Sequence, residues 1–242
     1  MTKRNPLKGI SFEDLILFEE ENFLVINKPP LISTLDDRSS DINILSLVRG
    51  YQPDAKVCHR LDKETSGLLV IAKHADFYKY FAGLLEEREV TKLYHAVVSG
   101  IKDFDEFEID RAIRVSSSGS RIDDYEGKAS VTLVSTIERY RKHTLVACMP
   151  FTGRTHQIRV HLSSVGTPII GDHRYGGQDI FLSSLKRNYS PSKGKPEEPL
   201  IRRVALHAAG LAFNLPNGEE MRLRAPYPKD FEVLLKQLEK NK

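Results

Sequence analysis

Two stretches gather the side chains that could do chemistry. In the first, His59, Arg60, Asp62, Lys63 and Glu64 stand in front of an apolar run from Leu68 to Ala72, with Thr65-Ser66-Gly67 between. In the second, Arg154, His156, Arg159, His161, Asp172, His173 and Arg174 all fall between positions 154 and 174. An aspartate at the mouth of a strand has poor propensity there. Asp62 therefore either makes an Asx-turn ending at Ser66-Gly67 or has a function, and the company of His59, Arg60 and a Thr-Ser-Gly turn that can hold the backbone tightly weakens the turn reading. Arginine is the side chain for a planar, bidentate pair that keeps an aspartate ionised in a partly dry pocket. If 155–165 is helical, Arg159 lies on a different face from Ile158 and Leu162 and is free to leave the core and meet a carboxylate. An arginine ion pair that only braces the fold competes with that reading.

A catalytic metal is the rival chemistry. His59, Asp62, His156, His161, Asp172, His173 and His207 are ligand types that suit zinc or manganese. Their spacing argues against it: there is no HExxH, and residues five apart, such as His156 and His161, sit about 140° apart around a helix. No P-loop or GxGxxG cradle for a nucleotide cofactor is present either.

The surrounding pattern supplies the elements that must carry these groups. "LILFEEENFLVINKPP" reads as a hairpin around Glu-Glu-Asn, stopped by Pro29-Pro30. A short helix is predicted over 41–50 with Asp41 as N-cap and Ile44, Leu45 and Val48 on one face. The clearest helix is predicted over 75–88, where Phe77, Tyr80, Phe81, Leu84 and Leu85 recur at three and four residues. Strands are predicted at 92–100, 107–115, 129–140 and 143–151, and a helix after Gly153 carrying Ile158, Leu162 and Val165. "LAFNLPNGEEMRLRAP" reads as a hairpin turning at Asn217-Gly218, followed by an amphipathic closing helix in "PKDFEVLLKQLEK". Only the 75–88 helix reads as a crossover, so the expected class is α+β with a mixed, mostly antiparallel sheet.

Bulk properties narrow the partners. The 242 residues are 40% hydrophobic, enough for a packed core. Cys58 and Cys148 have no metal-like spacing and read as ordinary thiols of a reducing compartment. The N-terminus is charged but lacks an apolar stretch after it, and no apolar run of about 18 residues occurs. The expectation is a soluble, cytoplasmic protein with no membrane partner. Net charge is only +3, yet basic residues cluster at Lys3, Arg4 and Lys8, at Arg139, Arg141 and Lys142, at 186–195 and at Arg202-Arg203. Acidic residues collect elsewhere, in "DFDEFEID" at 103–110. Such segregation can present a positive face to a phosphate backbone. Residues 186–200 read as an exposed basic loop.

"HRLDKETSGLLVIAK" at 59–73 resembles the signature of pseudouridine synthases of the RluA type, and "GRTHQIRVHLSSVGTPIIGDHRYG" at 153–176 resembles that family's third motif. "KLYHAVVSG" at 92–100 is similar to its tyrosine-bearing strand, and "LHAAGLAFNLPNGEEMRLRAPYP" at 206–228 to its closing hairpin. The resemblance implies a bent, mixed sheet flanked by helices and loops. It also implies a reaction without cofactor: the N1–C1′ bond of a uridine in RNA is broken, the uracil is turned, and C5 is joined to C1′. Asp62 matches the essential aspartate. Whether it adds to the base, attacks C1′ or removes a ribose proton stays open, and each route needs an ionised carboxylate. By the same matching Arg159 is the arginine partner, Tyr94 stacks on the target base, and Arg60 helps hold the nucleotide out of its stack. A base must leave the helix to be detached, and an aromatic face is a natural floor for it. Tyr94 on an alternating strand could equally be core.

The chain departs from the family at "NKPPLISTLD", which keeps Lys28-Pro29 but has Pro30 and no Gly or His. That loop is expected to shape the RNA entrance and so bear on target choice. A single catalytic domain over 1–242 is expected, with no room for an N-terminal S4-type domain. The catalytic domain would then grip the RNA, a ribosomal or transfer RNA stem-loop, with the 186–203 segment taking part; no DNA partner is expected, and the protein is expected to be a monomer. The alternatives are a non-catalytic RNA-binding protein of the same fold and a metal-dependent hydrolase.

Overall fold

The computed structural model describes residues 9–36, 42–117, 119–186, 189, 194 and 196–242. The chain divides into two compact units, 1–92 with 207–226, and 93–206 with 227–242.

The first unit opens with a hairpin of β1 (Ile16–Glu19) and β2 (Phe23–Lys28), as the apolar runs around Glu-Glu-Asn require. Helix α1 (Ile44–Tyr51) follows, then β3 (Lys56–Val57), β4 (Ser66–Ala72) and α2 (Ala75–Glu86). The expected cap of α1 at Asp41 falls outside the described residues. The observed N-cap is Asn43, whose side chain accepts from Ser46 N–H while Ser46 Oγ accepts from Asn43 N–H. This reciprocal box satisfies two end donors at once and moves the start downstream.

The strand predicted to begin at Leu68 begins at Ser66, so Ser66 and Gly67 belong to the sheet and not to a turn. All seven residues of β4 are buried, because strands flank it and helix α2 covers it. Phe23 stacks on Phe77 with ring centroids 4.4 Å apart, and Phe81, Leu84, Val70 and Phe213 complete this core. Each such side chain stabilises the unit by about 1.5–3 kcal/mol.

In the second unit β5 (Thr91–Ser99), which starts at the end of the first, is followed by β6 (Phe107–Asp110), β7 (Ile113–Ser116), β8 (Gly119–Ile122), β9 (Val131–Arg139) and β10 (His143–Pro150). Helix α3 (Gln157–Ser164) and the one-turn α4 (Leu182–Leu185) come next. The single strand expected over 107–115 is two, in different sheets. The break falls at Arg111-Ala112, where the Asp124 carboxylate accepts from Ala112 N–H and from the Arg111 guanidinium. That local bond turns the chain out of the β6–β9 ladder and into the β7–β8 hairpin, a strand pair the sequence pattern did not reveal.

β11 (Leu206–Asn214) and β12 (Glu220–Arg224) then make the Asn-Gly hairpin of the first unit, with Gly218 at φ 85°, and α5 (Lys229–Lys240) closes the chain. Phe231, Leu234 and Leu238 of α5 pack into the second core with Val97, Val146 and Leu162.

Sheet order is β1-β2-β4-β11-β12 in the first unit and β5-β10-β9-β6 in the second. β11 runs parallel to β4 through His207 opposite Ser66 and Ala208 opposite Gly67, and every other strand pair within each unit is antiparallel. The class is therefore α+β, mixed and mostly antiparallel. No helix among the described residues is long and apolar enough to cross a membrane.

Candidate active site

Asp62 opens a turn closed by Thr65 N–H donating to Asp62 C=O at 3.0 Å. It is half-buried, and Leu61 before it and Thr65 after it are buried. The turn is built from outside, by the segment that follows β2. Thr34 Oγ1 donates to Leu61 C=O at 2.7 Å and accepts from Leu61 N–H at 3.1 Å, so one hydroxyl satisfies both main-chain groups beside the aspartate. Leu31, in the left-handed region at φ 68°, donates its N–H to Lys63 C=O at 2.7 Å. The Lys28 ammonium is fully buried and donates to Pro29, Ile32 and Lys63 carbonyls at 3.0, 2.9 and 3.3 Å. Carbonyl dipoles are the natural shell for a buried ammonium, which would otherwise carry a large desolvation cost. The "KPPLIST" segment, expected to shape an RNA entrance, thus spends these contacts on bracing the turn.

His59 is held the other way round. Its Nε2 accepts from Val70 N–H at 3.1 Å, and burial, followed by the charge of Lys92, lowers its pKa to about 3. A neutral imidazole packed 6.2 Å from the Phe81 ring therefore starts the motif. Arg60 is exposed next to it. On the far side of the turn, Ser66 Oγ lies 2.9 Å from His207 Nδ1, with both residues fully buried.

Arg159 sits in the second unit on α3. The expectation that it leaves the core is corrected: it is buried, because Gln157 through Leu162 are all buried and the helix has no solvent face along that stretch. A helix enclosed on all sides must satisfy its polar groups internally, and it does. Arg159 Nε and Nη2 bind the two oxygens of Asp172 at 2.7 and 2.8 Å, with Asp172 1% exposed, and the guanidinium lies 5.0 Å from the Tyr175 ring centre. Gln157 donates to Val131 C=O and Thr132 Oγ1 and accepts from Thr152 Oγ1 and Arg154 N–H. His161 bonds Thr132 Oγ1 and Arg111 C=O, and burial lowers its pKa. The helix starts two residues later than expected, because His156 at φ 56° is left-handed and forms the N-cap, with its Nδ1 2.8 Å from the Tyr175 hydroxyl.

Tyr94 pairs with Cys148 across β5 and β10 and is half-buried against the second core. A cavity of about 430 Å³ in the same unit is lined by Arg114, Lys128 and Arg154, with Glu126 as the acid among its charged groups. Of the ligand types considered for a metal, His59, His156, His161, Asp172 and His207 are engaged in the hydrogen bonds above, and His173 pairs with Asp179. Among the described residues no three or more His, Cys, Asp or Glu side chains come together to hold an ion. Burial also pushes the Cys58 thiol up to about 12 and Cys148 upward, so neither is a ready thiolate. Thr34 was not singled out from sequence, while Lys28 was noted only in the first motif, Ser66 only as a turn residue and His207 only as a candidate metal ligand. Lys28 had a signal, a lysine ending an apolar strand before two prolines, whereas a lone Thr34 has none.

The α+β fold and its motif positions agree with the family that the sequence resembles. A model of that family, RNA pseudouridylate synthase, matches residues 22–164. The chain belongs to the RNA pseudouridylate synthase family and is an RNA pseudouridine synthase, an isomerase. It is 34% identical over 239 residues to the ribosomal large subunit pseudouridine synthase C of Escherichia coli K12, covering 96% of this chain and 72% of the relative. The Haemophilus influenzae protein of the same name is 33% identical over 247 residues, covering 99% and 73%. Among solved structures, human RNA pseudouridylate synthase domain containing 4 superposes with a TM-score of 0.75 at 26% identity, covering 94% of this chain and 95% of that one. Human RNA pseudouridylate synthase domain containing 1 gives 0.69 at 29% identity, over 90% and 85%.

Proposed function

We propose that Asp62 is the essential carboxylate with which this synthase isomerises uridines in structured RNA, without a cofactor. Arg60 holds the target nucleotide out of its stack and Tyr94 lies against the base, while Arg159, clamped by Asp172, acts from behind the substrate by holding its own segment in place. The observation that carries this reading is the bracing of the Asp62 turn. Hydrogen bonds from Thr34, Leu31 and Lys28, the Thr34 pair buried, fix its main chain on both sides, which is what a carboxylate needs to meet a base within about a few tenths of an ångström. The exposed Arg60 next to it supplies a charge suited to a phosphate, and Lys128 and Arg154 in the open hollow of the second unit, where Arg114 is paired with Glu126, suit a backbone.

Ribosomal RNA of the large subunit is the proposed substrate class, because the bacterial relatives carry that substrate in their names. Transfer RNA is the outcome that would replace it. The reaction breaks N1–C1′, forms C5–C1′, releases the C5 hydrogen to solvent as a proton and places a proton on N1 in exchange, so turnover is read as tritium leaving 5-³H-uridine RNA. Asp62→Asn should abolish release while RNA binding persists; unchanged release would remove Asp62 from the role. Mapping pseudouridines in total RNA from cells with and without the gene identifies the target, and a lost site in transfer RNA alone would refute the ribosomal assignment.

A further inference from the structure

The turn is braced before Asp62 by Thr34 and beneath Lys63 by Leu31 and Lys28, but its C-terminal end has a different anchor. β4 and β11 meet in parallel over only two residue pairs, Ser66 with His207 and Gly67 with Ala208. Gly67 has φ 114°, and a Cβ on it would lie 2.2 Å from Ala208 O, so the two backbones are pressed together where the turn enters the sheet. Beside that contact Ser66 Oγ lies 2.9 Å from His207 Nδ1, and His207 Nε2 lies 3.3 Å from Ala225 C=O. A carbonyl only accepts, so Nε2 carries the hydrogen; in a neutral imidazole Nδ1 is then bare and Ser66 Oγ–H donates to it. With both residues 0% exposed, water cannot replace either partner.

We propose that His207 is a positioning residue for Asp62: through Ser66 it fixes the C-terminal end of the turn that carries the aspartate. This rests on the reading of Asp62 as the essential carboxylate. His207 lies 145 residues further along the chain, and Ser66 brings it to within four residues of Asp62 in sequence. A register shift of a few tenths of an ångström at Ser66 passes to Asp62 through one turn, because Thr65 N–H is tied to Asp62 C=O.

The test separates the two ends of the imidazole. Ser66→Ala removes the donor and should lower kcat about tenfold to a hundredfold, the size expected for a misplaced reacting group, with KM for RNA unchanged. His207→Gln keeps a donor towards Ala225 but loses the acceptor for Ser66, and should fall as far. His207→Asn places an amide oxygen near the Nδ1 position and should restore kcat to within about threefold of wild type. The double variant Ser66→Ala/His207→Gln should be no slower than either single, since both delete the same bond. Melting temperatures of all variants are measured beside the kinetics. Wild-type kcat in folded Ser66→Ala overturns the proposal, as do equal kcat losses in His207→Gln and His207→Asn that track the fall in melting temperature. The control Asp62→Asn keeps the two readings apart. Activity in that variant sinks the underlying assignment, whereas its inactivity together with a fully active Ser66→Ala sinks the positioning role alone.

Discussion

The Asp62 turn in the first unit and the Arg159 segment in the second are held in opposite ways. The turn is fixed through the main chain of Asp62 and its neighbours: Thr34 on Leu61, Leu31 and Lys28 on Lys63, and Thr65 on Asp62 itself. Arg159 is fixed by its own charged head, clamped in both planar positions by Asp172 and faced by Tyr175. The first arrangement positions the carboxylate by holding the main chain on either side of it. The second sets a buried charge against a buried charge, and such pairs are intolerant of losing one partner while adding little net stability as a pair.

The largest expected effect is on chemistry in the first region. Asp62→Asn should eliminate tritium release while the protein stays folded in urea, because the bracing bonds from Thr34, Leu31, Lys28 and Thr65 are made to main chain that the substitution leaves in place. A shifted midpoint would show that the carboxylate has a structural role as well and would blur the contrast. Next is the loss of a charge partner in the second region. Asp172→Ala should cost about 3–5 kcal/mol in urea unfolding, since it strands the Arg159 guanidinium in a buried site. A cost below about 1 kcal/mol would mean that Arg159 can reach water. Thr34→Val is smaller: it keeps the shape but leaves Leu61 N–H and C=O unpaired, for about 1–3 kcal/mol and a fall in kcat. Lost stability with normal kcat would detach the brace from catalysis.

Both regions share a weaker response to pH. His59 in the first unit and His143 and His161 in the second have folded pKa values lowered by burial from the ordinary 6.5. Below pH 6.5 the unfolded chain binds protons that the folded chain refuses, so stability is complete above that value and falls as the pH drops through it. Thermal melts between pH 7 and pH 5 should show the decline, and His161→Gln, which keeps a donor towards Arg111 C=O without titrating, should reduce it. An unchanged slope in that variant would place the effect elsewhere.

The positions of most elements were legible because local signals agree with the fold. Residues 75–88 repeat their apolar groups at helical spacing, and Asn217-Gly218 can only be a turn. The strand over 107–115 was misread since Asp124, a dozen residues away, supplies the bond that breaks it. The cap of α1 was placed too early because Asp41 and Asn43 are both competent caps, and the reciprocal partner of Asn43, Ser46, decides between them.

The sequence by itself determined the family, the α+β class and the candidate carboxylate Asp62, because motif residues are adjacent in the chain and their types restrict the chemistry. Tertiary structure decided what surrounds them. That Lys28 is a buried brace, that Arg159 lies inside a helix closed on all sides, and that Ser66 meets His207 across a two-residue parallel contact are all consequences of chain segments distant in sequence being packed together. Burial makes those contacts matter, since a polar group removed from water must find its partner wherever the fold brings one.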